Sequence, residues 1–562
     1  MNVRHIAWML LCVFAIAPRS VPAQHAPASQ PAAESIAAAD SIQLRDVRFV
    51  GNTVFPSDRL RAEIKSYIGR RISPDELEDA RVKLTKLYVA ESYITSGVIL
   101  PDQEIDPNDA LVTFEVKEGK LARQNVKLEG VDAENRPKKL WLRPSFSVDR
   151  IIAGAGRVLD IDRLKDRLEL LRQNQNVKRI NAELEPGVLP GESILNVKVE
   201  EANPIHFGIE FSNRRPPSVG ANRFELFGAV TNLTGNSDTL GLRYTINKGA
   251  LSDPEFAGLD EYSVAYSLPL NSSDTTLELS YQRDDSPVVE APFDELDITS
   301  QTDSVYVSIR QPLIRTTTAD FDYHELAVSL GIGFRQNTSQ LLGEPFSFSP
   351  GSVSGRTRVA PLRFGQELIL RNQNRAISLR STFSLGVDLF GATLRDDSAN
   401  SGSGVDSQYL SWLGQFQYVW RLPQTDNLLI FRAAAQVAND SLPSLEQFSV
   451  GGIDTVRGYR ENQLVRDQAI TATLEYRMSV WHRAGQSVME IAPFIDIGYA
   501  RDVHESIANE TNFISSAGIG LLFHPNEKFS ATIYYGYAFK DFGRTSDLQD
   551  IGIHFDLIYQ PF

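Results

Sequence analysis

The sequence predicts a signal peptide, two small α/β domains and a C-terminal, roughly 16-stranded antiparallel transmembrane β-barrel. Three observations predict this order. A short apolar run opens the chain, and a mixed strand and helix pattern then occurs twice with a period of roughly 80 residues. After Pro204 short alternating segments follow one another to the C-terminus. The chain has 562 residues, more than one small core requires, so several units are expected.

Composition excludes several classes of protein. The formal net charge of −15 argues against nucleic acid as a partner, because phosphate binding needs a basic surface. A single cysteine excludes a disulfide scaffold, a cysteine-rich zinc site and an iron–sulfur cluster. After the N-terminal segment no apolar run approaches the roughly 20 residues of a membrane helix. A membrane form of this protein would therefore cross with strands.

The N-terminus predicts export. An apolar run of about 12 residues, Ile6–Ala17, has the length of a signal-peptide core rather than of a membrane span. Small residues suited to signal peptidase end at Ala23, so residues 1–23 are predicted to be removed, together with Cys12. The alternative is an apolar helix retained in the fold. Residues 24–40 are rich in Ala, Pro, Ser and Gln and are predicted to be a disordered linker.

The first repeat, residues 41–121, is predicted to have the order β-α-α-β-β. An alternating strand, Ile42–Val50, precedes a short helix for which Ser57 is the predicted N-cap. The second helix has a stronger start signal, a capping box from Ser73 to Glu76. The closing strands are expected around Ile94 to Leu100 and around Leu111 to Val116.

The second repeat, residues 122–203, has the same ends as the first. Its opening, Val126–Gly130, matches Val47–Gly51 in the spacing of valine and glycine, and a helix is predicted near Ile161 to Gln173. Matching ends at a fixed period indicate an internal duplication. The order and the Val-x-x-x-Gly opening resemble the POTRA domain. The alternative is an unrelated pair of small α/β domains.

Residues 204–562 have the pattern of a membrane barrel. We count about 16 alternating segments, an even number as bacterial barrels require. With the repeats in the periplasm, odd-numbered connections face outside, and these are predicted to be the long ones. The long connections are Asp284 to Thr302, Gln336 to Arg356, Gly391 to Gln408 and Asp440 to Asp467. The short ones are at Asn271 to Asp274, Asn372 to Asn374, Pro423 to Asp426 and His524 to Glu527.

One pair of motifs carries chemistry. Val-Arg-Gly-Tyr at 456–459 lies in the predicted loop between strands 11 and 12, and Phe-Ile-Asp-Ile-Gly at 494–498 lies in strand 13. An unpaired guanidinium in a confined lumen is costly, so Arg457 needs an acceptor there. Asp496 has the opposite parity to its isoleucine neighbours, points to the lumen and can bind Arg457 in bidentate geometry. The alternative places Arg457 on a solvated outer loop, with Asp496 merely lining the pore.

These motifs behind two POTRA-like repeats resemble the outer-membrane insertase and transporter superfamily, and within it the two-partner-secretion transporters (TpsB, the haemolysin secretion/activation family). The resemblance implies that Arg457 and Asp496 lock the loop in a secretion-competent position. It also implies supporting roles for further motif residues. In the loop these are Gly451, Gly452, Val456, Gly458 and Tyr459, and in the strand Phe494 and Gly498.

The resemblance further implies an outer-membrane transporter that recognises an unfolded exoprotein through its POTRA domains and secretes it through the barrel. The expected partners are a large β-helical cargo, outer-membrane lipid and, during biogenesis, the barrel-assembly machinery; we expect a monomer. No cofactor, metal or enzymatic activity is expected, since the phosphate-binding, zinc-protease and serine-hydrolase motifs do not occur. The alternatives are an assembly factor of the same superfamily, a porin or an outer-membrane enzyme.

Three smaller features complete the expectations. The acidic stretch at Asp294, Glu295 and Asp297 is interpreted as a solvated loop rather than a cation site. Histidines beside predicted strands, His554 among them, are interpreted as lumen or rim residues. Phe562 is the terminal aromatic that such barrels use as an assembly signal, yet the preceding proline cannot donate to a strand ladder, so Phe562 is expected just beyond the last strand.

Overall fold

The structure, a computed structural model, describes residues 41–561 apart from 190, 249–260, 318–321, 396–403, 484 and 505–510. The predicted signal peptide, the predicted linker and Phe562 lie outside the described residues. The chain forms two compact units. With the same gaps, the described part of the first unit lies within residues 41–139, 147–173 and 179–200, and that of the second within residues 140–146, 174–178 and 201–561.

The first α/β repeat is a four-stranded sheet covered by two helices. In chain order its elements are β1 Ile42–Val50, α1 Ser57–Glu63, β2 Arg71–Ile72, α2 Pro74–Ala90, β3 Gly97–Ile99 and β4 Ala110–Lys117. The sheet order is β2-β1-β4-β3, with β1 and β4 parallel. Leu77, Ala80, Leu84 and Tyr88 of α2 are buried at helical spacing and pack on the apolar face of the sheet.

Helix starts in this repeat test two predictions. The capping box of α2 is confirmed, because Glu76 N donates to Ser73 Oγ at 3.2 Å and Ser73 N donates to Glu76 Oε2 at 3.0 Å. The prediction that Ser57 caps α1 is wrong. Ser57 is the first residue of the helix, and Pro56 occupies the cap without a side-chain hydrogen bond. The short strand β2, which pairs with the start of β1, is an addition to the predicted order.

The second repeat has a three-stranded sheet and two helices. Its elements are β5 Lys120–Gly130, α3 Pro144–Ala155, α4 Ile161–Arg172, β6 Val177–Pro186 and β7 Glu192–Glu201. The sheet order is β5-β7-β6, with β5 and β7 parallel. Asp160 caps α4 by accepting from the backbone N–H groups of Asp162 and Arg163. None of the helices in the described part of the chain is long and apolar enough to span a membrane.

The rest of the chain forms a closed antiparallel β-barrel. In chain order its strands are β8 Ile205–Ser212, β9 Asn222–Val230, β10 Thr239–Lys248, β11 Glu261–Pro269, β12 Thr276–Pro287, β13 Thr299–Thr316, β14 Tyr323–Leu341, β15 Glu344–Pro345, β16 Arg356–Val359, β17 Pro361–Arg371, β18 Arg375–Gly386, β19 Leu410–Arg421, β20 Leu428–Ala438, β21 Phe448–Val450, β22 Leu464–Arg466, β23 Gln468–Arg483, β24 Gln486–Arg501, β25 Phe513–Asn526, β26 Phe529–Ala538 and β27 Ile553–Tyr559. Among these, β15 and β16 pair with the end of β14, and β21 pairs with β22 in a separate hairpin. The other sixteen strands of the described chain close the barrel, and the predicted 16-stranded fold is confirmed.

Two features of the barrel determine which side chains face its lumen: the pairing that closes it and the alternation of side chains along each strand. The last strand, β27, pairs with the first, β8, from Asp556 opposite Ser212 to Tyr559 opposite Ile209. Along β24 the isoleucines at 495 and 497 are 56% and 45% exposed, whereas Asp496 between them is fully buried. The outer face of this strand is therefore apolar and its inner face carries the polar group, as expected of a barrel in lipid.

Long and short connections alternate between the two ends of the barrel, as predicted. The predicted long connections correspond to residues 288–298, 342–360, 387–409 and 439–467. The predicted short ones correspond to residues 270–275, 372–374, 422–427 and 527–528. Since neighbouring strands are antiparallel, all four long connections lie at one end.

Candidate functional site

The longest of these connections folds into the barrel. This segment, residues 439–467, is called the lumen loop here; it follows the eleventh barrel strand, β20, and precedes the twelfth, β23. The pairing of β21 with β22 makes it a hairpin with its tip at residues 451–463. Gly451 and Gly452 turn the chain with φ of 113° and 93°, values that favour glycine. Thr455 Oγ1 closes the turn by accepting from Gly451 N at 2.8 Å.

Arg457 at the tip binds Asp496 on the inner face of β24. Its Nε donates to Oδ2 at 2.8 Å and its Nη2 to Oδ1 at 2.9 Å, which is a bidentate pair. The backbone N of Arg457 also donates to Oδ2, at 3.0 Å. The Arg457 side chain is 1% exposed and that of Asp496 is fully buried. One carboxylate thus fixes both the side chain and the backbone of the tip.

A second acceptor, Glu475 on β23, completes the coordination of the guanidinium. Arg457 Nη1 donates to Glu475 Oε2. Glu475 is itself fully buried and also accepts from Arg477 Nε at 2.6 Å. The guanidinium carbon lies 3.5 Å from the ring centroid of Phe494 and 4.7 Å from that of Tyr534. Two carboxylates and two aromatic faces therefore surround a cation that water does not reach.

The glycine of the strand motif makes room for the valine of the loop motif. A Cβ atom added to Gly498 would lie 2.5 Å from Val450 Cγ1 and 2.8 Å from Val456 Cγ2. Val456 is fully buried and belongs to an apolar cluster that contains Val450 and Ile514. The three motif residues on the inner face of β24 therefore have different roles. Phe494 places its ring against the guanidinium of Arg457, and Asp496 is the counter-ion. Gly498 leaves space for the side chain of Val456, the residue before Arg457.

The last three strands, β25, β26 and β27, hold the Arg-Gly-Tyr segment from another side. A Cβ added to Gly458 would lie 2.7 Å from the carbonyl oxygen of Gly536, so the loop backbone contacts β26 directly. Gly458 N donates to His554 Nε2 of β27 at 3.2 Å. Tyr459 Oη donates to the carbonyl oxygen of Ser515 at 2.9 Å. The tip is thus held by β23 through β27.

The root of the lumen loop attaches elsewhere on the wall. Glu446 accepts from Arg335 Nη1 of β14 at 3.1 Å and from Arg363 Nη2 of β17 at 2.9 Å. At the other end of the loop Asp467 accepts from Leu442 N at 2.9 Å. The loop therefore crosses the lumen, from the seventh and eighth barrel strands to the twelfth through sixteenth.

Most predicted site residues meet at one place. Arg457, Asp496, Phe494, Gly498, Val456, Gly458 and Tyr459 form one buried assembly. Gly451 and Gly452 lie at the far side of the hairpin tip, where added Cβ atoms would clash with Arg460 and Glu461 of the same loop. Sequence reasoning missed Glu475 and the contact of His554. The sequence does contain a pattern that could have indicated Glu475. It lies on β23 at the same parity as Thr471 and Thr473, so these polar side chains share the inner face of the strand.

Metal binding has no support in the described residues. No group of three or more histidine, cysteine, aspartate or glutamate side chains in that part of the chain could hold a metal ion. Asp294 and Glu295 lie in a short 3-10 helix, Phe293–Leu296, in the connection after the fifth barrel strand.

Comparison with known proteins gives this architecture a family. In chain order, a POTRA fold precedes a closed barrel, and an Arg–Asp pair binds the lumen loop of that barrel to its wall. Residues 191–523, more than half of the chain, match the haemolysin secretion/activation protein ShlB/FhaC/HecB family, and residues 42–119 match the ShlB-type POTRA domain. The chain belongs to this family and is a two-partner-secretion transporter with its POTRA fold in the periplasm.

Individual relatives agree with the family. The chain is 22% identical over 431 residues to the outer membrane transporter CdiB of Dickeya dadantii (strain 3937), covering 74% of this chain and 69% of the relative. It is 22% identical over 488 residues to the heme/hemopexin transporter protein HuxB of Haemophilus influenzae (strain 86-028NP), covering 83% and 78%. The solved structure of CdiB from Escherichia coli superposes with a TM-score of 0.67 at 17% identity over 99% of this chain and 95% of that one, which shows the shared fold.

Proposed function

We propose that this transporter captures an unfolded exoprotein through its POTRA domains and passes it through the barrel as the lumen loop is displaced. The observation that carries the proposal is the lumen loop itself. It crosses the channel, and ion pairs hold it at its tip, through Arg457, and at its root, through Glu446. Small apolar clusters that contain Val456 and Ile453 pack the tip against the wall beside the first of these pairs.

Arg457 and Asp496 act as the lock in this proposal. Removing the guanidinium would leave Asp496 buried without its counter-ion and Glu475 with Arg477 as a remaining partner, and an unpaired buried charge costs roughly 3–5 kcal/mol. The loop would leave its position to hydrate Asp496. The proposed role of the pair is to keep the tip in the one position from which secretion proceeds.

The open edge of the first POTRA sheet is the proposed receiver. The backbone of Leu44 still bonds to Gly69 and Arg70 on this edge. Beyond Leu44, β1 pairs only with β4 in the described part of the chain. Val47 on that edge donates its N–H to Asp46 Oδ1 at 2.8 Å, and its carbonyl accepts from Arg61 Nη2 at 3.2 Å. The side chains of Asp46 and Arg61 thus occupy the backbone N–H and carbonyl groups of Val47. In the proposal, an extended cargo chain displaces these side chains and pairs with the edge by β-augmentation.

The remaining partners follow from the same proposal. The cargo is a large β-helical exoprotein, the apolar outer face of the barrel contacts outer-membrane lipid, and the barrel-assembly machinery inserts the chain. The transporter acts as a monomer, without a cofactor and without enzymatic activity. Folding of the cargo outside supplies the direction of transport.

A comparison of secreted proteins tests the function directly. Culture supernatants of a strain with the gene and of its deletion should differ by one large protein, which returns on complementation. Identical supernatants under conditions where the barrel is present in the outer membrane would refute secretion.

The receiver has its own experiment in the full-length transporter. A photo-crosslinking amino acid at Arg48, exposed on β1, should capture the exoprotein during secretion. The same group at Asp79, exposed on α2, is the matched control. Equal capture at both positions would refute β-augmentation at this edge.

A further inference from the structure

A second arginine of the lumen loop has different partners from the first. Arg460 Nε donates to Asp550 Oδ1 at 2.6 Å, and its Nη2 donates to Asp550 Oδ2 at 2.8 Å. Its Nη1 donates to Glu290 Oε2 at 3.0 Å, and its Nη2 also donates to Ser546 Oγ at 3.0 Å. The side chains of Arg460 and Asp550 are 6% and 3% exposed. This is a bidentate ion pair with further ligands, well shielded from water.

The partners of Arg460 belong to two other connections at the same end of the barrel. Glu290 lies in the connection after the fifth barrel strand, residues 288–298, and Asp550 in the connection after the fifteenth, residues 539–552. The lumen loop follows the eleventh strand. All three follow odd-numbered strands of an antiparallel barrel, so they meet at one end. With the POTRA fold in the periplasm, that end is the external one.

The connection after the first strand joins the same cluster. Arg214 Nη2 donates to both carboxylate oxygens of Asp454, at 2.7 and 2.8 Å. Glu461 N donates to Gln549 Oε1 at 2.9 Å, and Gln549 Nε2 donates to the carbonyl oxygens of Asn213 and Arg215, each at 2.7 Å. Four connections are thus tied to one another. We call the set centred on Arg460, Asp550 and Glu290 the outer latch.

The outer latch and the wall site share no side chain. The wall site consists of Arg457 with Asp496 and Glu475, whereas the hydrogen bonds of the Arg460 side chain described above go to Asp550, Glu290 and Ser546 of the external connections. The two arginines are three positions apart on one tip, so the wall holds the tip from one side and the external connections hold it from the other. A polypeptide that leaves by this end has to separate Arg460 from its carboxylates, even where the Arg457 pair stays intact.

We propose that Arg460 is a positioning residue for secretion that holds the external mouth of the barrel closed until cargo arrives. The proposal rests on the proposed route of the exoprotein through the barrel. Loss of Arg460 weakens the links among three connections at once, because it leaves Asp550 and Glu290 without their shared cation. The hydrogen bonds of Gln549 and of Arg214 would remain. Loss of Arg457 frees only the contact with the wall.

Channel recordings of the purified full-length transporter in planar lipid bilayers test this closure. Arg460→Ala and Asp550→Ala should each raise the open probability by about tenfold or more. Arg460→Lys, which keeps the charge but loses the bidentate geometry, should fall between wild type and Arg460→Ala. The matched control is Arg395→Ala, which removes an exposed pair with Asp440 at the same end of the barrel. Heat-modifiable migration in gels shows that each barrel is folded. Wild-type open probability in folded Arg460→Ala and Asp550→Ala would overturn the proposal.

A reversible cross-link tests the same point during secretion. The chain has one cysteine, Cys12, which lies in the predicted signal peptide. Arg460→Cys combined with Asp550→Cys and joined by a reducible bis-maleimide should stop secretion, and reduction should restore it. Undiminished secretion by the cross-linked protein would overturn the latch. Absence of any secreted protein from wild type, with the conductance differences intact, would refute the proposed function and leave the latch standing.

Discussion

The backbone N–H of Gly458 donates to Nε2 of His554 at 3.2 Å, so the tip of the lumen loop is hydrogen-bonded to the strand that closes the barrel. Both residues are buried, and an N–H group left unpaired at such a place costs about 1–3 kcal/mol. His554 accepts here through an unprotonated nitrogen. The imidazole therefore has a positional function in the neutral form.

Replacing His554 by phenylalanine should loosen the tip without unfolding the barrel. The ring volume is largely retained, but Gly458 N loses its acceptor. We expect several-fold faster cleavage of the lumen loop by an external protease and reduced secretion. His554→Gln, which offers an amide oxygen, is the control and should fall between the two. Equal protease resistance of wild type and His554→Phe would contradict this role.

Arg457→Ala should abolish most secretion while barrel and export remain normal. Asp496 would stay buried without a counter-ion, whereas Glu475 keeps Arg477; the unpaired Asp496 costs roughly 3–5 kcal/mol, which the loop relieves by leaving the wall. Arg457→Lys keeps the charge but loses the bidentate geometry, so partial secretion is expected. The measurement is cargo in the supernatant at matched levels of transporter in the outer membrane. Wild-type secretion by the alanine variant would eliminate the lock.

Gly498→Ala should displace the tip by steric means alone. The new methyl group would stand 2.5 Å from Val450 Cγ1 and 2.8 Å from Val456 Cγ2, closer than carbon atoms approach. We expect a secretion defect that Val456→Ala partly relieves. Gly241→Ala in β10 is the matched control, since nothing lies nearer than 3.9 Å to its added Cβ. Normal secretion by Gly498→Ala would show that the lumen loop accommodates the extra methyl group and would contradict this prediction.

Acid should destabilise the first POTRA domain through Glu118. Burial raises the pKa of this carboxyl, but hydrogen bonds from Thr53 and Val54 outweigh it and hold the pKa below its usual value. These include Thr53 N at 2.6 Å and Val54 N at 2.8 Å. Since the folded-state pKa is depressed, the stabilisation is present above the unfolded pKa of about 4.3 and is lost as the pH falls through the folded value.

Hydrogen exchange of residues 41–119 in the full-length transporter measures this effect. Protection should decrease between about pH 5 and pH 3, after correction for the intrinsic exchange rate. Glu118→Gln should lower protection at neutral pH and flatten the pH dependence. An unchanged pH dependence in that variant would assign the acid sensitivity to another group.

Local patterns were sufficient for the strands and for the inward direction of Asp496, whereas its contact with Arg457, 39 positions away, was expected from the resemblance of the two motifs. Parity along residues 494–498 determines which side chains face inward, and period-two alternation is a property of a single strand. The contacts of Glu475 and His554 could not be predicted from local patterns. These side chains reach the guanidinium and the Gly458 amide only because β23, β24 and β27 stand at particular registers around a closed wall, and register is a long-range property that no short segment encodes. The same applies to Arg460, whose carboxylates lie 90 and 170 positions away in the chain.

The shared use of β27 has a consequence for the order of events during biogenesis. This strand pairs with β8 to complete the ring of hydrogen bonds, and it also supplies His554 to the loop. The lumen loop is synthesised before β27, yet its binding site on the wall is incomplete until this last strand is in place. A newly inserted cylinder therefore acquires its internal obstruction in the same step that seals its wall, which limits how long an unsealed or leaky intermediate persists in the envelope.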